Sequence, residues 1–177
     1  MNQQRYGLLH VLLLLGILLA HVPRGLAQVG TRQASKTVKR TMTAALARCH
    51  FRVGNVEAIT FIPASNEEFE TIKSLGSAAI EPLSTYMDAK ADGGLVQFFA
   101  VKFLTALRSP TALSALQRAF APDQWEVTRM AALYGMFETS KEAARPYIEA
   151  ALDDESPLVR QTAERLYAES GPPGSDN

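Results

Sequence analysis

From about residue 66 to residue 169 the apolar positions recur at helical spacing, and the blocks they form recur in turn. Val96, Val127 and Val159 are each followed four residues later by Ala100, Ala131 and Ala163, and seven residues later by Phe103, Tyr134 and Leu166. A stripe at i, i+4 and i+7 lies on one face of a helix. The Val-to-Val spacings are 31 and 32 residues, so the segments read as equivalent first helices of a repeated unit. Between them lie second apolar helices: Ala79, Ile80, Leu83 and Met87 in the earliest, Ala112, Leu113, Leu116 and Phe120 in the next, and Ala144, Tyr147, Ile148, Ala151 and Leu152 in the last. Breaks at Gly76, Gly93-Gly94, Ser109-Pro110 and Ala121-Pro122 fall where turns are needed. The pattern predicts an opening pair over about 66–89, full pairs over about 93–121 and 125–152, and a closing helix over about 156–169. Asp92, Asp123 and Asp153 or Asp154 precede the first helices as expected caps, and Ser156-Pro157 reads as N-cap and first helical residue.

Upstream, Ala34 to His50 places Val38, Met42, Ala45, Leu46 and Cys49 on one face, with Lys39, Arg40, Thr43 and Arg48 largely opposite. This predicts an N-terminal helix capping the stack. Phe51 to Ser65 lacks a helical period and reads as extended, with a short strand expected. The tail, Ser170–Asn177, has two Pro and two Gly and is expected to be disordered. The fold class expected is all-α: a short α-solenoid of antiparallel helix pairs, with an N-terminal helix and a short extended segment.

A two-helix repeat near 32 residues fits several families, and the motif residues decide between them. The Trp or Leu, Gly and Tyr of the tetratricopeptide first helix are not shared, and the ankyrin Thr-Pro-Leu-His turn is absent. Asp154-Glu155-Ser156-Pro157-Leu158-Val159-Arg160, with Ala79-x-x-Pro82 and Ala143-x-x-Pro146 in second helices, resembles the short HEAT-like repeats found also in phycobilin lyases. The resemblance covers about 66–169. It departs at Gln97, where the pattern's Arg is lost, and at Thr128, where Arg129 comes one place late. It implies that Asp123, Asp154 and Arg160 brace successive loops rather than bind a ligand.

Composition adds a direction to this picture. Arg5 precedes an apolar run of about 13 residues, Leu8–Ala20, shorter than the roughly 20 that span a bilayer core, and small residues follow at Gly25-Leu26-Ala27. This predicts an export signal over residues 1–27, cut after Ala27, and a periplasmic or secreted protein; an uncleaved anchor is the alternative. Cys49 lies too far on for a lipid-attachment site. Net charge is zero over the 177 residues. Without residues 1–27, which hold Arg5 and Arg24, the charge is about −2; between Gln28 and Val56, however, stand six bases (Arg32, Lys36, Lys39, Arg40, Arg48, Arg52) and no acid, leaving residues 57–177 at about −8. The overall balance argues against nucleic acid as a partner. Residues 28–65 are expected to be a basic N-terminal helix and an extended linker; the basic arm within them, 28–56, is expected to pack on the acidic repeats, and its alternative partner is an anionic membrane surface or an acidic partner.

Candidate chemistry is sparse. After the signal the chain has one His (His50) and one Cys (Cys49), adjacent and so about 100° apart on a helix, which is poor placement for a catalytic pair. Cys49, lacking an internal partner, is expected to be a buried free thiol, with pairing between chains as the alternative. Asp153-Asp154-Glu155 sits at an expected hairpin turn, where capping is the simpler role. No catalytic residue, metal site or cofactor is expected. The reading is a protein-binding or scaffolding module, with the second-helix positions Glu81, Thr85, Gln117, Arg118, Arg145 and Glu149 lining a concave face. Trp125, at a helix start, is either a partner anchor or a cover between hairpins. The resemblance to phycobilin lyases implies tetrapyrrole handling as an alternative function.

Overall fold

Apolar residues at Ala34, Val38, Met42, Ala45 and Cys49 recur every three or four positions, and helix α1 (Arg24–Cys49) buries all five. The computed structural model describes residues 24–53, 56–59, 62–88 and 94–171. The chain divides into two units, Met1–Gln33 and Ala34–Asn177; the second is described here, together with the start of α1. The expected signal falls mainly on residues 1–23 and the expected disordered tail largely on 172–177, both outside the described residues; the expected cut after Ala27 lies within α1. The helix begins before the Ala34 start that the apolar stripe predicts. Among the described residues no helix is long and apolar enough to cross a membrane.

The extended segment is a two-stranded antiparallel hairpin, β1 (His50–Val53) and β2 (Val56–Ile59), in the register His50 to Ile59 and Val53 to Val56. Helix α2 (Asn66–Leu75) starts at a capping box: Ser65 accepts from the Glu68 N–H, and Glu68 accepts from the Ser65 N–H. The second element of the opening pair buries Ala79, Ile80, Leu83 and Met87 as the spacing predicts. It is not one helix. A 3₁₀ turn (Gly76–Ala79), helix α3 (Ile80–Ser84) and another 3₁₀ turn (Thr85–Asp88) follow in series. Pro82 removes a ladder donor, and the Ser84 and Thr85 hydroxyls donate to the Ile80 and Pro82 carbonyls at 2.7 and 2.8 Å, competing with regular pairing.

Helix α4 (Leu95–Leu107) is apolar on nearly every side and stands at the centre, packed against α2, α3 and α6. After the 3₁₀ turn Pro110–Ala112 come α5 (Leu113–Ala119), α6 (Glu126–Thr139), α7 (Lys141–Ala151) and α8 (Pro157–Ser170). Helix α6 touches α4, α5, α7 and α8, and α7 pairs with α8. Helices dominate the fold, and one apolar core runs from Val38 to Leu166. Val96, Ala100, Phe103, Ala131, Val159, Ala163 and Leu166 are buried; Val127 is half-buried and Tyr134 is exposed, contrary to its place in the stripe. Helix α6 takes contacts from both α4 and α8, and the Tyr134 ring meets the Arg165 guanidinium of α8 at 5.9 Å.

The aspartate caps are corrected by the structure. Asp92 lies outside the described residues. Trp125 is the N-cap of α6 and Ser156 that of α8, and neither side chain caps. Asp123 sits exposed in the turn before α6. Asp154 does other work: its Oδ1 accepts the Ser156 N–H at 2.8 Å and the Arg129 Nη2 at 2.7 Å. Arg129 is 4% exposed, and its Nη1 donates to the Pro122 and Gln124 carbonyls at 3.1 and 2.9 Å. Arg160 donates to the Asp154 and Glu155 carbonyls at 2.6 and 3.0 Å. Two loops, 121–125 and 152–156, are thereby held on one buried guanidinium. Replacement by Met keeps the stem but strands Asp154 and two carbonyls, so Arg129→Met is expected to cost about 3–5 kcal/mol in urea unfolding.

A second ion pair seats α1. Arg48 donates through Nη1 and Nη2 to the two Glu68 oxygens, each at 2.6 Å, bridging 20 residues of sequence. Arg48 therefore meets the expectation that the basic arm packs on its own chain. Lys36, Lys39 and Arg40 do not: they are exposed and have no ion-pair partner among the described residues. The bond to Arg48, against the opposing effect of burial, holds the Glu68 carboxyl below its ordinary pKa. A depressed folded-state pKa contributes stability above the unfolded carboxylate range and loses it as pH falls through the folded value. The stability difference between wild type and Glu68→Gln, measured by urea unfolding, should be constant from about pH 7 to about pH 5 and shrink below about pH 4.

Candidate functional site

The second-helix positions are dispersed in exposure. Glu81, Thr85, Arg118 and Glu149 are exposed, whereas Gln117 and Arg145 are half-buried, and the Arg145 Nη1 is buried without a hydrogen-bond partner. Arg118 Nη2 donates to the Ser84 carbonyl at 3.4 Å, linking α5 to the end of α3. The Phe120 and Tyr147 rings meet edge to face at 6.1 Å, which carries the contact on to α7.

Trp125 takes the place of a cover between hairpins. It is 41% exposed, yet its side chain lies against Gly94, the N-cap of α4, where an added Cβ would come within 2.6 Å of the Trp125 Cβ. Gly94 has φ of 93°, a left-handed conformation that any residue with a Cβ adopts only with strain. Beside it the Thr128 hydroxyl donates to the Gly94 carbonyl at 3.3 Å. Trp125 thus covers the junction between the starts of α4 and α6 and leaves one edge in solvent.

A concavity lies on the other helices. A groove of about 510 Å³ runs between α2, α4 and α6. The Phe69 ring stands edge-on to buried Phe103 at 5.2 Å. On one rim Lys73 pairs with Glu70 at 2.8 Å, and on the other Arg108 pairs with Glu138 at 2.9 Å. Arg108 ends α4 with φ of 47°, a left-handed cap usually given to Gly, at a cost of about 1–2 kcal/mol. Tyr134, 36% exposed, lies beside Glu138, whose charge raises the phenol pKa above its ordinary value, with burial adding to the effect; the Arg165 guanidinium lies 5.9 Å from the ring centre. Lys102, half-buried on α4, makes no ion pair among the described residues.

None of the groove's side chains belongs to the second-helix set that the repeat pattern nominates. Tyr134 has a sequence signal, since it is the one stripe position of the three that carries a polar group. Lys102 and Arg108 have none: a Lys inside a helix and an Arg at its end read as ordinary solvated residues. Cys49 is the buried free thiol expected, with its Sγ 3.6 Å from the Ala45 and Ile62 carbonyls. Among the described residues no three His, Cys, Asp or Glu side chains cluster as metal ligands.

The groove floor depends on close approach of α4 and α6. A Cβ at Gly135 would fall 2.3 Å from the Thr105 Oγ1, which itself donates to the Val101 carbonyl at 2.9 Å. Gly135→Ala should therefore destabilise the protein by about 1–3 kcal/mol in urea unfolding, despite the better helix propensity of Ala. Adding Thr105→Ala should recover part of that loss, because the two sites share one contact.

Set against known proteins, the chain matches no protein-family model, and neither a curated protein nor a solved structure matches it significantly.

Proposed function

We propose that residues 66–169 form a short α-solenoid of HEAT-like helix pairs, and that the chain is an exported protein-binding or scaffolding module. The observation that carries the repeat reading is the sequence separation of its polar ties. Thr128 bonds Gly94 across 34 residues, Arg118 bonds Ser84 across 34, Arg108 bonds Glu138 across 30, the Ser156 hydroxyl bonds Glu126 across 30, and Arg129 bonds Asp154 across 25. These cluster about the 31 and 32 residues that separate the Val positions, as expected if each unit touches only its neighbours. A stack so built offers extended side faces, and interactions on extended faces suit macromolecular partners.

The test is site-directed photocrosslinking in the full chain. A benzoylphenylalanine at Thr85 or Glu149 reports the second-helix face, and one at Ala106 reports the groove. A defined partner crosslinked from the exported fraction at one face and not the other is the expected result. Absence of any crosslink at all three positions, with each variant folded by circular dichroism, removes the binding-module reading.

A further inference from the structure

We propose that the groove between α2, α4 and α6 binds an acidic segment of a protein partner, with Lys102 receiving an Asp or Glu carboxylate and Tyr134 and Phe69 holding the apolar side chain next to it. The inference rests on the binding-module reading and gives that module's partner a chemistry.

Charge accounting selects the ligand. Three cations line the groove, and two are already matched: Lys73 by Glu70 and Arg108 by Glu138. A ligand that took either would have to displace an existing carboxylate. Lys102 alone has no such partner among the described residues, and it stands on α4 between the two rims. Each matched pair also leaves a carboxylate in the groove, which repels a polyanion such as nucleic acid but admits one carboxylate placed on Lys102. Lys102 is half-buried as a residue, its stem lying in the groove lining between α2 and α6.

The walls supply the second element. Tyr134 is a large aromatic left 36% exposed at a place where the equivalent positions, Phe103 and Leu166, are fully buried. Phe69 is half-buried and its ring orientation is fixed by Phe103. An aromatic and a cation on adjoining walls match an acidic residue beside Leu, Phe, Tyr or Trp in one short segment.

The experiment is phage-display selection of a random dodecapeptide library on the folded full chain, followed by fluorescence anisotropy with synthesised winners. Enriched peptides should carry Asp or Glu adjacent to a large apolar residue. They should lose at least about tenfold in affinity for Lys102→Glu, keep it for Lys102→Arg, and keep it for Lys36→Glu, which changes net charge equally but does not line the groove. Replacing the peptide's Asp or Glu by Asn or Gln should reproduce the loss. Winners that bind Lys102→Glu as well as wild type, but fail on Glu81→Ala or Glu149→Ala, overturn the groove and leave the module reading standing. A library with no enrichment on wild type overturns the groove proposal, and with an absence of crosslinks at all three reporter positions it overturns the module reading too.

Discussion

The buried guanidinium of Arg129 is the constraint on which the C-terminal half of the fold depends. The loop at 121–125 turns the Pro122 and Gln124 carbonyls to the Arg129 guanidinium, the loop at 152–156 turns the Asp154 carboxylate to it, and a buried carbonyl without a donor costs about 1–3 kcal/mol. Arg129 supplies donors to both loops from one planar group, and Asp154 neutralises the charge that burial would otherwise make prohibitive. Because the donor sits on α6, the helix that touches α4, α5, α7 and α8, the position of the loops and the packing of the helices are one problem with one solution.

The Arg48–Glu68 pair does the same for the N-terminal side by a different route. Glu68 is at once the capping partner of Ser65 and the carboxylate that receives Arg48, so the start of α2 and the seat of α1 are coupled through one side chain. Apolar burial of the α1 stripe supplies the non-directional part of the attachment, and the bidentate pair supplies its register.

Legibility followed periodicity. The stripes through Val96, Val159 and the second helices were readable because burial on one face of a helix forces a 3.6-residue spacing into the sequence, and so was the buried stripe of α1. The short extended segment was readable as a loss of that period, though not its pairing as a hairpin. Arg129 was visible only as a departure from the HEAT-like pattern: a lone Arg reads as surface, and its burial rests on acceptors from the loop just before α6 and from Asp154, 25 residues on. Ser65 and Glu68 stand at capping-box spacing and so carry a local signal, whereas the link to Arg48 crosses the hairpin and carries none. The groove was illegible for the same reason. Lys102, Arg108 and Tyr134 come together only through the approach of α4 and α6 at Gly135, which no single segment encodes.

Cys49 gives this architecture an internal clock. Its sulfur sits at the last turn of α1, fully buried, between the Ala45 and Ile62 carbonyls. A reagent in solvent can meet that thiol only when the packing between the end of α1 and the Ile62 segment opens. The pace of its modification is therefore slowed from that of an exposed thiol by the fraction of time the site is open. One atom, with no second thiol in the chain to confuse it, keeps time for the detachment of the basic helix from the body.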